Sequence, residues 1–145
     1  MLVRVLDRLF VKENFSDDCP GGGDYLHRWI IVRFRSGRGL YLHRFLRSDW
    51  TRDMHDHPKP FLSIGLCGGY VEGTPEGTCA YRAPWIRRFP PHHIHRVRIN
   101  RRRGCWTLVY VGRREKAWGF WRAGKWVPWR RYHDKYLTEC DKSTK

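Results

Sequence analysis

Asp53-Met54-His55-Asp56-His57-Pro58, followed by the apolar run Phe61-Leu62-Ser63-Ile64 and the pair Gly68-Gly69, is the stretch from which the fold can be read. Residues two apart on a β-strand project to the same side. His55 and His57 therefore present both imidazoles to one space, while Met54 and Asp56 face the other way. Two imidazoles on one strand can bind a divalent metal with little rearrangement, and imidazole suits Fe, Zn, Cu or Ni. Taken alone the pair is weak support for a metal site, because histidines on exposed strands and loops are common.

A second stretch strengthens it: Phe89-Pro90-Pro91-His92-His93-Ile94-His95-Arg96-Val97. The Pro pair ends one strand, and the chain re-enters another at His95. By period two, His93, His95, Val97 and Ile99 share a face. A histidine returning 38 positions after His57 would complete a three-His site that leaves coordination positions open. His93 is the reserve ligand. A ligating histidine usually donates its other ring N–H to a partner, and Asp53 and Asp56 are the expected ones, although either could equally cap the loop.

Working outward, Leu26–Arg35 and Leu40–Arg47 alternate about the turn Ser36-Gly37-Arg38-Gly39 and predict a hairpin. Short strands are expected at Tyr70–Glu72, Thr78–Arg82, Trp85–Phe89, His95–Ile99 and Trp106–Val111. A last hairpin is expected around Ala123-Gly124. Residues 2–11 carry Leu2, Leu6, Leu9 and Phe10 at helical spacing, so a short N-terminal helix is expected, with an edge strand as the alternative. Asp17 to Asp24, with its Pro-Gly-Gly-Gly core, is a loop. The polar tail after Trp129 is expected to be loosely held. Such a string of about eight to ten short strands favours an all-β sandwich or barrel.

The bulk properties agree. The chain of 145 residues is long enough for one domain spanning residues 1–145, and 41% hydrophobic content with 15% aromatics argues for a packed core. No apolar run approaches the ~20 residues of a membrane helix. Arg4, Asp7 and Arg8 interrupt the apolar start, so no signal peptide is expected. Five cysteines without a Cys-x-x-Cys fit a reducing, cytoplasmic setting, with Cys67 and Cys105 as buried thiols. The net charge of +15 reads either as a solvated barrel exterior or as a surface for a polyanion such as nucleic acid, with Arg101, Arg102 and Arg103 as its candidate centre.

The paired histidine segments resemble the two metal-binding motifs of the cupin superfamily over about residues 40–112. The resemblance implies a single cupin-type double-stranded β-helix, or jelly-roll barrel, with one divalent metal on His55, His57 and His95. Local spelling, His55-Asp56-His57 and His95-Arg96-Val97, is similar to the thiol dioxygenases. That branch implies Fe(II), with Zn(II) or another transition metal as alternatives, and a dioxygenase or oxygenase acting on a small molecule. It also implies an upstream arginine for a substrate carboxylate, here Arg44 or Arg28, with Tyr41 nearby. The chain departs from the general cupin pattern where a Glu usually follows His-x-His, since Lys59, Pro60, Phe61 and Leu62 stand there. It also lacks the cysteine that follows the histidine pair in cysteine dioxygenase. Cupins often pair, so a homodimer is a further expectation. The competing functions are a binding module contacting nucleic acid or another anionic partner, and an isomerase or epimerase using His and Tyr as acid and base.

Overall fold

The structure is a computed structural model that describes residues 2–16, 23–49, 51, 53–100, 102 and 104–136. The order of elements is α1 (Leu2–Leu9), β1 (Val11–Ser16), β2 (Asp24–Arg33), β3 (Gly39–Phe45), β4 (Met54–His55), β5 (Phe61–Thr74), β6 (Gly77–Arg82), β7 (Trp85–Phe89), β8 (Arg96–Ile99), β9 (Cys105–Val111), β10 (Gly119–Arg122), β11 (Lys125–Pro128) and α2 (Trp129–Tyr136). The long antiparallel sheet runs β1-β2-β3-β9-β5-β6, with β7 and β8 also paired to β5. Most of the expected strands are present, and the architecture is the all-β, curled jelly-roll half-barrel with a short N-terminal helix. Among the described residues no helix is long and apolar enough to cross a membrane.

Strand β5 organises the sheet. Its first half pairs with β7 and β9, and its second half with β6 and β8. The change of partners falls at a register shift between Gly65 and Cys67 and at Gly68, whose φ of 78° suits glycine. A Cβ on Gly68 would also collide with the Gly104 carbonyl. The apolar run and the expected short strand at Tyr70 are thus one bent strand, and the bend curls the sheet around a cavity. A three-stranded sheet, β11-β10-β4, lies over the open side.

Side-chain alternation sorts the two faces. Tyr41, His43 and Phe45 of β3 line the cavity together with Thr107, Val109 and Val111 of β9. On the other face Trp29, wholly buried, stacks on Trp106 at 5.5 Å and donates its indole N–H to Asp7 of α1 at 2.8 Å. That contact and buried Leu6 hold α1 against the sheet. The expected strict alternation along β2 breaks between Ile30 and Val32, where the register with β3 shifts.

Two further expectations are corrected. The segment after Trp129 is not loosely held over its first turns: residues 129–136 form α2, whose Tyr132 is buried and stacks on Phe120 at 4.0 Å. Its local composition is polar, so only tertiary contacts, those of Tyr132 and of Trp129 with Trp118, reveal it. Cys105 is buried as expected, but Cys67 is exposed, because the register shift beside Gly65 turns it outward. The loop expected at Asp17–Asp24 falls largely outside the described residues.

Two measurements check this packing. Trp29→Ala should destabilise the chain by about 3–5 kcal/mol in urea unfolding, the usual result of emptying a buried aromatic site. Burial pushes the Cys105 thiol up to about 12, so native alkylation at mildly alkaline pH should label Cys67 and Cys79 and leave Cys105 unmodified until denaturant is added.

Candidate metal centre

Two backbone hydrogen bonds bring the histidine segments together. His55 N–H donates to the His95 carbonyl at 2.8 Å, and His95 N–H donates to the His55 carbonyl at 3.0 Å. The antiparallel bridge sets both rings on the cavity side. His57 follows two residues later, and its Nε2 stands 2.8 Å from His95 Nε2. One nitrogen from each of His55, His57 and His95 lies within 4.8 Å of the others, so the three could hold one metal ion.

An aromatic collar encloses the rings. Phe61 packs edge-on to His57 at 4.9 Å, Phe89 lies 5.7 Å from His95, and Phe120 lies 6.0 Å from His55. Trp118 stacks on Trp129 and completes this side of the wall. Burial among these rings lowers the His55 pKa to about 4, against the nearby Asp49 carboxylate, which favours the charged form. Burial also holds His57 well below the ordinary histidine range. Both imidazoles are therefore neutral at pH 7, which is the state that ligates a metal. The donor set fits an imidazole-preferring transition metal.

Asp49 and Glu72, neither of them among the expected residues, are the acids beside these rings. Asp49 Oδ2 lies 3.8 Å from His55 Nδ1 and accepts the Val97 N–H at 2.6 Å. Glu72 is 1% exposed, and its Oε1 accepts from His95 Nδ1 at 2.6 Å and from His93 Nε2 at 2.9 Å. Its Oε2 accepts from Arg87 at 2.6 Å. Burial works against this carboxylate's charge, but the hydrogen bonds from His93, His95 and Arg87 outweigh it and hold its pKa well below the usual range. A lone acid within the strand-forming run Gly69-Tyr70-Val71-Glu72 was the available signal, since an unpaired Glu rarely sits in a core strand. His93, the reserve ligand, stands on Glu72 on the Nδ1 side of His95; Glu72, His93 and His95 form a second group with metal-compatible spacing.

Asp53 and Asp56 do not orient the histidine rings. Asp56, 2% exposed, accepts the Gly119 N–H at 2.8 Å and the Trp126 indole N–H at 3.1 Å, and pairs with Lys116. Asp53 accepts from the Tyr132 hydroxyl at 2.8 Å and from Arg122 at 3.1 Å. Period two explains Asp56, which alternates with His55 and His57 and faces away from the imidazoles; Asp53 has the histidines' parity but lies in the bend before β4, and both acids bind the C-terminal segment instead. Arg44 is likewise on the wrong face for the cavity, lying over the Trp106 ring at 5.4 Å. Arg28 lines the cavity, as does Tyr41, and donates from Nε to His43 Nε2 at 3.0 Å. Burial lowers the His43 pKa to about 3, with the Arg28 charge adding to the effect, so His43 is a neutral acceptor. Thr107 Oγ1 is buried in the same wall with no hydrogen-bond partner among the described residues. The cavity has a volume of about 520 Å³. Arg102 is exposed near the end of β8, whereas Arg101 and Arg103 lie outside the described residues.

No protein-family model matches the sequence, and no curated protein matches it. Solved structures do match in fold. A cupin-2 domain protein from Rhodospirillum rubrum aligns with a TM-score of 0.57 at 12% identity, covering 74% of this chain and 72% of its own. A cupin 2 conserved barrel domain protein from Rhodopseudomonas palustris aligns with a TM-score of 0.57 at 13% identity, covering 74% and 75%. A sugar phosphate isomerase from a cupin superfamily, from Silicibacter pomeroyi, aligns with a TM-score of 0.56 at 12% identity, covering 78% of each chain. At such identities the likeness is one of backbone architecture, and that architecture is the cupin fold.

Proposed function

We propose that this chain is a single-domain, metal-dependent cupin enzyme, a non-haem iron oxygenase acting on a small molecule, with His55, His57 and His95 as the ligands. The observation that carries the reading is the grouping of three imidazoles, with no carboxylate among them, at the wall of an aromatic-lined cavity. Fe(II) is the preferred ion on the spelling of the two motifs, and the missing Glu after His57 favours a three-His set over the general cupin one. Bound there, the ion would supply Lewis-acid or redox activation to a ligand in its open positions.

The chain's own residues define what can enter. A volume of about 520 Å³ suits a small molecule, not a polymer. Phe61, Phe89, Trp118 and Phe120 keep bulk water from the ligand nitrogens. Away from them, Arg28 offers a guanidinium whose Nε is fixed by His43, and Thr107 offers a spare hydroxyl. A substrate with a carboxylate or similar polar head would be oriented at that end, leaving its other end toward the histidines.

A second reading, an isomerase or epimerase, is supported by the Tyr41 and Tyr70 side chains in the same cavity and by the name of the Silicibacter neighbour. The net charge of +15 supports a separate, weaker proposal of polyanion binding on the exterior. Phosphate-driven binding falls steeply with salt, and turnover of a small molecule does not.

Purified protein should carry about one divalent metal per chain, with His57→Ala and His95→Ala each losing it. Full metal retention in His55→Ala, His57→Ala and His95→Ala would sink the three-His reading. With Fe(II) loaded, oxygen-electrode traces in the presence of small thiols and amino acids should show substrate-dependent O₂ uptake. Turnover of a sugar phosphate by metal-stripped protein, with no O₂ uptake, would favour the isomerase instead.

A further inference from the structure

We propose that Glu72 is a positioning residue for this centre: it commits His95 to meet the metal through Nε2 and keeps His93 out of the ligand set. The proposal rests on the three-histidine reading. Its basis is the way one buried carboxylate is shared. Glu72 Oε1 takes two ring nitrogens, His95 Nδ1 at 2.6 Å and His93 Nε2 at 2.9 Å, and Oε2 takes Arg87 at 2.6 Å. Arg87 is itself held over the Tyr81 ring at 3.7 Å and the Phe89 ring at 4.6 Å, and it also bonds the Tyr70 hydroxyl.

An ionised carboxylate only accepts. Both histidines must therefore present N–H groups to it, His95 from Nδ1 and His93 from Nε2. In neutral imidazole the other nitrogen is then the acceptor. For His95 that nitrogen is Nε2, which stands 2.8 Å from His57 Nε2 on the cavity side. For His93 the nitrogen aimed toward this network is used, so the ring cannot swing into the centre without abandoning Glu72.

The alternative, Glu72 as a direct ligand with His93 and His95, has the required spacing. It conflicts with Arg87, since both carboxylate oxygens already carry donors and the guanidinium would lie beside the ion. A carboxylate behind a ligating histidine fixes its tautomer and raises its basicity, and loss of such a partner typically costs 10–100-fold in metal affinity.

The test uses the full chain with Zn(II) alone as probe, and one arm needs no variant. Long-range nitrogen–proton NMR of the metal-free protein should show His95 as the Nδ1–H tautomer; an Nε2–H tautomer or an even mixture would overturn the proposal. In chelator competition, Glu72→Gln should weaken Zn(II) by 10–100-fold with near-UV circular dichroism unchanged. His93→Gln should bind within about threefold of the native chain, well below that penalty. Should Glu72→Gln fail to fold, Glu72→Asp serves, with partial recovery of affinity expected. Native affinity in Glu72→Gln would overturn the proposal, and so would a loss as complete as that of His95→Ala, which would make Glu72 a ligand. Failure of the native chain to bind Zn(II) at all would refute the three-histidine reading instead, while the tautomer measurement would still report on Glu72.

Discussion

The pair of backbone hydrogen bonds between His55 and His95 is the constraint on which the rest of the molecule depends. β4 is only two residues long and cannot hold itself in place through a ladder. The bridge to His95 on one side and the pairing of Met54 and His55 with β10 on the other give it two neighbours. Removing either neighbour would free the His-x-His segment from the barrel. The His-x-His segment is thus also a closure device: the contacts that assemble three imidazoles also join the long sheet to the small one.

Asp53 and Asp56 extend the same logic outward. Asp56 alternates with His55 and His57, so when the histidines face the cavity it faces the C-terminal segment, and Asp53 reaches the same segment from the bend before β4. Asp56 fastens Lys116, Gly119 and Trp126, and Asp53 fastens Arg122 and Tyr132. Those anchors seat Trp118 and Phe120 against His55. The aromatic wall that lowers the His55 pKa is therefore held in place by the acids of the same short stretch. Histidines and acids of one short stretch thus contribute to both the candidate site and its enclosure.

This explains which parts were legible in the sequence. The strands from Leu26 to Val111 announce themselves by alternation and by turn residues, and the three histidines by their types and strand positions. Asp56 faces away from the histidines by period two, which the sequence shows; the partners of Asp53, which has the histidines' parity, depend on the bend before β4 and on the distant Arg122 and Tyr132. Glu72 shows in the sequence only as a lone acid in a strand-forming run: its partners His93 and His95 reach it through the pairing of β5 with β8, where Glu72 stands opposite Val97. The choice between Arg28 and Arg44 was likewise one of face. His43 and Arg44 are neighbours on β3, and only the register with β2 shows that Arg28 shares the His43 side. Helix α2 could not be read from local pattern, because tertiary contacts, Tyr132 on Phe120 and Asp53 and Trp129 on Trp118, supply its attachment.

The interior charge has a consequence for how stability and function divide. A buried ion pair such as Glu72–Arg87 contributes little net stability, because desolvation of both groups offsets their attraction. A well-packed apolar pair in the same place would serve the fold at least as well. Arg87 also lies flat over two aromatic rings, so its position is fixed by packing and not by the carboxylate alone. The carboxylate is thereby held at a set point, with one oxygen left to face two imidazoles. Stability alone does not require that arrangement. It does constrain His95, where the other neutral tautomer would turn an N–H donor toward His57 and a ring flip would put carbon in place of both nitrogens. The proposed hold on the His95 ring therefore accounts for the Glu72–Arg87 pair better than the energetics of the core do.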